Sequence, residues 1–134
     1  MSTIQNCNLL SIPKIEDPRG NLSVIENSVI PYAIKRVYYL YDVPSNSYRG
    51  GHAHICQREV LVAISGSFEV VLKHDNQETT VFLNAPDRGL LIDKMVWREL
   101  KNFSSGSICL VMASDEFDEA DYIRDWETFA KTEH

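Results

Sequence analysis

Short runs of β-branched and aromatic residues, each ended by a cluster of turn-forming residues, recur along the chain and constrain its fold more than any other feature. Val, Ile, Tyr and Phe favour extended strands, whereas Gly, Pro, Asn, Asp and Ser favour tight turns. Candidate strands fall at residues 22–26, 34–41, 59–64, 67–73, 78–83, 89–92 and 107–113. Many short strands separated by regular turns predict an all-β sandwich or barrel.

The C-terminal stretch has a different pattern. Phe117, Tyr122, Trp126 and Phe129 recur at roughly helical spacing among acidic residues. Ser114 precedes them as a candidate N-cap, and acidic residues in a first turn suit the helix dipole. We therefore predict one short C-terminal helix that begins near Ser114 and packs its aromatic stripe against the sheet as core.

Length and composition indicate one domain spanning residues 1–134. No apolar run approaches the roughly 18 residues needed to cross a membrane, and the N-terminus lacks a signal-peptide pattern. The three cysteines form no Cys-x-x-Cys pair, so neither a zinc ribbon nor a disulfide framework is indicated. We expect a cytoplasmic protein with reduced thiols and without a membrane partner.

The formal net charge of −6 is concentrated in residues 115–127, which hold seven acidic residues and one basic residue. The rest of the chain is neutral and its basic residues are dispersed. A nucleic-acid-binding protein would concentrate them in a patch or stripe, so we expect no nucleic-acid partner. The dispersed arginines can still bind a small anionic ligand.

Two of the four histidines, His52 and His54, lie two residues apart, directly after Arg49, Gly50 and Gly51. On a strand, residues i and i+2 point to the same face. Two imidazoles that converge on one interior can bind a metal ion or perform acid–base chemistry near neutral pH.

The spacing His-x-His-x4-Glu-x6-Gly, formed here by His52, His54, Glu59 and Gly66, is similar to the first signature of the cupins. Cupins are small jelly-roll barrels, also described as double-stranded β-helices. Metal-binding cupins add a histidine from a second motif, but residues 89–98 contain none. Arg98 stands near that position, and a permanent cation repels a metal. We expect no metal.

A wider resemblance covers residues 14–129. The blocks at 17–20 (DPRG), 34–39 (IKRVYY), 49–54 (RGGHAH), 65–67 (SGS), 96–99 (VWRE) and 121–125 (DYIRD) resemble, in order, those of the sugar 3,4-ketoisomerases, or WxcM-like cupins. The resemblance implies a homodimeric cupin that uses neither metal nor cofactor. It implies conversion of dTDP-4-keto-6-deoxyglucose into a dTDP-3-keto-6-deoxyhexose, for 3-amino-3,6-dideoxysugars of bacterial surface glycans such as O-antigens and S-layer glycans.

That reaction is a tautomerisation through an enediol, and imidazole can take and return a proton near pH 7. His52 matches the essential histidine of the family and is the expected base. His54, on the same face, is expected to shuttle protons between O3 and O4, and Tyr38 to donate to the developing oxyanion. Further candidates contact the phosphates or the sugar, namely Arg19, Lys35, Arg36, Arg49 and Arg98.

Three alternatives remain open on the residues alone. A metal-dependent cupin enzyme would hold an ion between the histidines and Glu59. A nucleotide-sugar 3,5-epimerase would exchange two ring protons and leave the ketone at C4. A non-enzymatic sugar-binding cupin would use the histidines as hydrogen-bond partners only.

Overall fold

The computed structural model describes residues 4–132. Its strands, in chain order, are β1 (Asn8–Ser11), β2 (Lys14–Ile15), β3 (Leu22–Ser23), β4 (Arg36–Leu40), β5 (Arg49–His54), β6 (Glu59–Ser65), β7 (Phe68–His74), β8 (Gln77–Leu83), β9 (Arg88–Ile92), β10 (Trp97–Lys101), β11 (Ile108–Ala113) and β12 (Tyr122–Ile123). One α-helix, α1 (Trp126–Lys131), and three short 3-10 turns complete the described chain.

The strands form two five-stranded antiparallel sheets and a separate hairpin. The first sheet has the order β1-β9-β6-β11-β4, and the second has the order β12-β5-β10-β7-β8. Within residues 4–132, strands β2 and β3 pair only with each other. Because most neighbours in each sheet are distant in sequence, with the β7–β8 hairpin as an exception, residues from separate regions of the chain can meet between the sheets. The predicted all-β cupin jelly roll with one short C-terminal helix is confirmed.

The main core lies between the inner faces of the two sheets. On β7, the alternating residues Phe68, Val70 and Leu72 are at most 1% exposed, as their period-two spacing predicts. They pack against Leu61 of β6 and Leu90 of β9 from the opposite sheet. Each such side chain stabilises the fold by about 1.5–3 kcal/mol. The hydrophobic core therefore fills one part of the interior and leaves the remainder to polar residues.

Most predicted strands are found, with small differences at their ends. Those at 59–64, 67–73, 78–83, 89–92 and 107–113 correspond to β6, β7, β8, β9 and β11. The strand predicted at 22–26 extends over only two residues, in β3. Strands β1, β2, β10 and β12 were missed. In β1 and β10, polar and charged residues interrupt the apolar pattern.

The two glycines at 50 and 51 favour a turn by their residue type, but residues 49–51 belong to β5. Gly50 has a φ angle of +83°, which an L side chain rarely adopts, and the register between β5 and β10 shifts at this point. Leu100 Cδ1 would lie 2.8 Å from a Cβ at Gly50. The glycine thus accommodates a β-bulge immediately before the histidines rather than a chain reversal.

The helix predicted from Ser114 is also wrong in its start. It begins at Trp126, with Asp125 as the N-cap, whose carboxylate accepts a hydrogen bond from the backbone N–H of Thr128. Ser114 instead accepts a hydrogen bond from the backbone N–H of Arg58. The segment between them forms a 3-10 turn and β12, because pairing with β5 outweighs local helical spacing.

The short helix packs on the outer face of the second sheet. Its Phe129 is fully buried against Trp97 of β10 and Ala53 of β5. Ala53 lies between the two histidines in sequence, so its burial outward directs both histidines inward. No helix in residues 4–132 is long and apolar enough to span a membrane.

Candidate active site

A cavity of about 330 Å³ lies between the two sheets. Both sheets and the segment that follows β11 provide its walls, whose polar and aromatic members are Arg36, Tyr38, Arg49, His52, Glu59, Arg98, Phe117, Tyr122 and Arg124. Leucine and valine side chains close its inner end, namely Leu40, Leu61, Leu100 and Val111. One end of the cavity is therefore apolar, and most of its remaining lining is cationic and aromatic.

The second sheet places His52 beside Arg98. These two residues are directly opposite each other in the antiparallel pairing of β5 with β10, so their side chains point to the same face. His52 is 9% exposed and Arg98 is 1% exposed. A neutral base and a permanent cation thus share one wall of the cavity.

The two histidines contact each other through their rings. His52 Nε2 lies 3.1 Å from His54 Nε2, within hydrogen-bond distance. His54 is fully buried and is not among the residues that line the cavity. It therefore lies behind the residues that line the cavity and contacts one of them, His52, directly.

The C-terminal segment holds His54 from its other side. Asp121 Oδ2 lies 3.0 Å from Nδ1 of His54. Asp121 Oδ1 accepts a hydrogen bond of 2.7 Å from the backbone N–H of Cys56, and Tyr122 pairs with His54 across β12 and β5. These backbone contacts fix the Asp121 carboxylate, which in turn positions the imidazole of His54.

Glu59 forms a buried polar hub on the opposite wall. Its Oε2 accepts hydrogen bonds of 2.9 Å from the Tyr38 hydroxyl and from Gln57 Nε2. Its Oε1 accepts a bond of 2.7 Å from Arg98 Nη1, which links the two sheets. Arg98 Nη2 donates to the carbonyl of Val96, whereas among the described residues its buried Nε has no hydrogen-bond partner.

Burial sets the protonation state of these side chains. Burial, reinforced by the cations of Arg98 and Arg124, lowers the pKa of His52 to about 3. Burial and then Arg98 also lower the pKa of His54. Burial and the Glu59 carboxylate raise the pKa of Tyr38, so its hydroxyl keeps its proton. At neutral pH the site therefore offers two neutral imidazoles, which can accept a proton.

Arginines and aromatic rings alternate on the remaining wall. The guanidinium of Arg36 lies 4.4 Å from the ring centroid of Tyr38 and 5.1 Å from that of Phe117. Arg124 lies 4.1 Å from the ring centroid of Tyr122. Arginine binds phosphate oxygens through two parallel N–H groups, and exposed aromatic faces stack on planar rings. This wall suits a ligand with both an anionic and an aromatic part.

The structure brings together some of the sequence-predicted site residues but not all of them. His52, Tyr38, Arg49 and Arg98 line the cavity. Arg19 lies between β2 and β3, has a side chain that is 91% exposed and pairs with Asp17. Lys35 is exposed beside the start of β4. Neither Arg19 nor Lys35 lines the cavity.

Several residues of the site were missed or given no role by the sequence analysis. Phe117 and Tyr122 were assigned to the core, yet they line the cavity. Asp121 and Arg124 belong to the resembling block 121–125, which was the available signal for both. Gln57 gave no signal, since it lies in the connection between β5 and β6 and its 2% exposure depends on the tertiary fold.

His52, His54 and Glu59 also meet the basic requirement for a metal site. One nitrogen or oxygen from each lies within 4.8 Å of those of the other two. However, Glu59 Oε1 already receives Arg98, whose fixed positive charge opposes a divalent cation at the same carboxylate. Nδ1 of His54 is held by Asp121. The donor set of this cluster fits a metal poorly because a cation already occupies its carboxylate.

Comparisons with known proteins identify the family of this chain. The family model FdtA (WxcM-like, C-terminal) matches residues 5–134. The TDP-4-oxo-6-deoxy-alpha-D-glucose-3,4-oxoisomerase of Aneurinibacillus thermoaerophilus is 43% identical over 92% of this chain and 89% of its own length. The TDP-quinovose 3,4-ketoisomerase WlaRB of Campylobacter jejuni has a TM-score of 0.90 and 44% identity, covering 96% of this chain and 99% of that one.

A mutant of the 3,4-ketoisomerase QdtA from Thermoanaerobacterium thermosaccharolyticum, solved with TDP-4-keto-6-deoxyglucose, has a TM-score of 0.92 and 39% identity, with coverage of 93% and 91%. By contrast, a dTDP-4-dehydrorhamnose 3,5-epimerase from Bacillus anthracis is 15% identical with a TM-score of 0.77, so it shares the fold alone. From the family match and the identities to these ketoisomerases, the chain belongs to the FdtA, or WxcM-like, family.

Proposed function

We propose that this protein is an isomerase that converts dTDP-4-keto-6-deoxyglucose into a dTDP-3-keto-6-deoxyhexose. The observation that supports it most directly is the neutral, buried His52 in the wall of a cavity that also contains arginines and exposed aromatic rings. The relatives that bind or act on TDP-linked keto sugars match almost the full length of this chain.

His52 is the proposed base that removes the proton from C3. Because burial and Arg98 keep its imidazole neutral, it has a lone pair available at pH 7. The same cations that disfavour a protonated histidine favour the negative charge that develops on the sugar oxygen. Proton transfer from C3 therefore creates an imidazolium and an enediolate side by side. The hydroxyl proton then moves from O3 to O4, and return of a proton from the imidazolium to C4 completes the exchange.

Arg98 and Tyr38 are the proposed partners of the two sugar oxygens. Arg98 lines the cavity, and its Nε–H has no partner among the described residues. Because this Nε is buried, Arg98 can donate it to a sugar oxygen only after its side chain shifts. The Tyr38 hydroxyl donates to Glu59 in this structure. Tyr38 can therefore stabilise the oxyanion only after its hydroxyl turns from Glu59 to the sugar.

The nucleotide is proposed to bind along the arginine and aromatic wall. Arg36, Arg49 and Arg124 supply N–H donors for the diphosphate. Phe117 is 56% exposed and lines the cavity, so its ring has a free face on which thymine can stack. Tyr122 lies 5.0 Å from the His52 ring, which places it closer to the sugar than to the base.

We further propose a homodimer in which the β2–β3 hairpin lies on the second copy. A two-stranded hairpin is marginal by itself, and here Ile15 and Leu22 are 58% and 54% exposed. The hairpin also holds Arg19 away from the cavity of its own chain. If it crosses to the partner, its apolar residues become buried and Arg19 can contribute to substrate binding there. Lys35 is proposed as an outer contact for the diphosphate.

Light scattering coupled to size exclusion tests the dimer. Ile15→Asp is expected to yield monomers, whereas Phe82→Asp, which changes a similarly exposed residue on β8, is expected to leave the dimer intact. Wild-type protein that elutes as a monomer at micromolar concentration would contradict the proposal.

The three cysteines are thiols, which supports a reducing, cytoplasmic location. The product is proposed to supply 3-amino-3,6-dideoxysugars for surface glycans.

One experiment tests the activity. The protein is incubated with dTDP-4-keto-6-deoxyglucose in D2O, with and without a chelator, and the sugar is followed by NMR. Movement of the carbonyl from C4 to C3 with the chelator present is the expected result. Deuterium at C3 and C5 with the ketone still at C4 would instead indicate an epimerase. Activity that the chelator abolishes would indicate a metal enzyme, and binding without exchange a sugar-binding protein.

A further inference from the structure

Asp121 is a buried carboxylate for which the proposed reaction has no direct use. It ends the 3-10 turn Glu119–Asp121, and its side chain is 14% exposed. It does not line the cavity, so it cannot touch a bound sugar. Yet its Oδ2 lies 3.0 Å from His54 Nδ1, and His54 in turn contacts His52. The three side chains form a continuous line from the C-terminal segment to the cavity.

We propose that Asp121 is a positioning residue that makes His52 and His54 act as one proton-accepting pair. This inference rests on the proposed ketoisomerase function, because it concerns the proton that His52 removes from C3. Asp121 acts on His54 and does not contact the substrate.

The first step is the tautomer of His54. A carboxylate only accepts hydrogen bonds, so the imidazole nitrogen that faces it must hold the proton. Asp121 therefore keeps His54 protonated on Nδ1 and leaves a lone pair on Nε2, the nitrogen that faces His52. The backbone N–H groups of Cys56 and Gln57 hold the carboxylate in place, at 2.7 and 3.3 Å. The imidazole orientation follows from this fixed acceptor.

The second step is the location of the transferred proton. The neutral pair has two ring protons, of which one is on Nδ1 of His54. When the C3–H bond breaks, its electron pair stays with the sugar as the enediolate and the proton becomes the third on the pair. The contact of 3.1 Å between the two Nε2 atoms lets the rings share the resulting positive charge. The hydroxyl proton of the enediolate moves from O3 to O4, a proton returns from the pair to C4, and the pair is neutral again.

The third point is the free-energy cost of placing a positive charge on the His52–His54 pair. His54 is fully buried, and burial disfavours a charged imidazole. Arg98 and Arg36 add repulsion. Glu59 Oε2 lies 3.6 Å from His54 Nε2, but it already accepts from Tyr38 and Gln57. Asp121 is thus the carboxylate whose hydrogen bond with His54 directly offsets the charge.

Asp121→Asn is the test, because it keeps the shape and removes the charge and the obligate acceptor. We expect kcat to fall at least about 10-fold, the lower end of the loss seen when a carboxylate behind a metal-bound histidine is removed, with KM changed less than about threefold. Glu116→Gln is the matched control, since it removes an exposed negative charge from the same acidic segment. It is expected to leave kcat and KM unchanged.

Two further readouts separate positioning from a structural role. Nitrogen-15 NMR of the wild-type protein is expected to show His54 protonated on Nδ1 and not on Nε2, and Asp121→Asn is expected to shift this to a mixture. Asp121→Glu retains the carboxylate and is expected to recover part of the lost kcat. A variant that merely unfolds the turn would lower the melting temperature and raise KM without this pattern.

The outcomes distinguish this inference from the proposed function. If wild type turns over the sugar and Asp121→Asn retains its kcat, the role of Asp121 is refuted and the ketoisomerase remains. If wild type has no ketoisomerase activity, the proposed function fails, while the NMR comparison still tests whether Asp121 sets the His54 tautomer. An unchanged His54 tautomer in Asp121→Asn contradicts the inference in either case.

Discussion

Glu59→Gln is the substitution whose consequence follows most directly from the structure. The carboxylate is 2% exposed and accepts three hydrogen bonds, from Tyr38, Gln57 and Arg98. Glutamine has the same shape, but it lacks the charge, and its amide nitrogen cannot accept a bond from Arg98. The substitution therefore leaves a guanidinium that is 1% exposed without its carboxylate.

Removing one partner of a buried ion pair costs about 3–5 kcal/mol, because the remaining charge stays buried and uncompensated. The lower end applies here, since Arg98 lines a cavity that water can enter. We therefore expect the free energy of unfolding to fall by about 3 kcal/mol. In urea, with a slope of about 2 kcal/mol per molar, the midpoint should fall by about 1.5 M without a change in slope.

Urea titration of wild type, Glu59→Gln and Glu78→Gln measures this difference. Glu78 is 62% exposed and lies 3.9 Å from Lys73, so its substitution should change stability by less than about 0.5 kcal/mol. Adding Arg98→Met to Glu59→Gln removes the unpaired charge and should restore part of the lost stability. A loss below about 1 kcal/mol in Glu59→Gln, or a further loss in the double variant, would refute the reasoning.

Three other predictions concern the proposed base, the pH dependence of stability and an arginine proposed to bind the diphosphate. His52→Asn should fold with a melting temperature near that of wild type and lose turnover at least about 100-fold in the NMR assay; retained turnover would exclude His52 as the base. Because the pKa of His52 falls to about 3 in the folded state, the unfolded chain binds more protons below pH 6.5, so stability is lost as the pH falls. Wild type should lose up to about 2 kcal/mol between pH 6.5 and 5 from this histidine, and the loss should be smaller in His52→Asn by urea titration. Arg49→Ala should raise KM about tenfold with little change in kcat by steady-state kinetics, whereas a fall in kcat alone would place Arg49 at the reacting sugar rather than at the diphosphate.

The sequence allowed prediction of features that depend on local pattern. Alternating apolar residues such as Phe68, Val70 and Leu72 predict a strand with one buried face, and the structure agrees. The spacing of His52 and His54 predicts two side chains on one face, and their rings contact each other. Both inferences require only the two-residue repeat of an extended chain.

Local pattern misled where long-range pairing determines the backbone. The acidic, aromatic segment after Ser114 has helical spacing, but Tyr122 pairs with His54 and the chain becomes a strand. Likewise, the glycines at 50 and 51 predict a turn, yet β10 pairs alongside and Gly50 absorbs a bulge. In both cases the hydrogen bonds of a neighbouring strand outweigh the preference of the residues themselves.

The same dependence explains why the polar partners of the histidines could not be predicted. Glu59 meets Arg98 only because the two sheets face each other, and Asp121 meets His54 only because β12 extends the second sheet beyond β5. These partners decide the chemistry, since a histidine pair with only arginines around it would be neutral but poorly able to hold a proton. Asp121 on one side and Glu59 on the other divide the negative charge of the site. In the proposed mechanism, Asp121 stabilises the proton that the histidines accept, while Glu59 holds Tyr38 and Arg98, the proposed partners of the sugar oxygens.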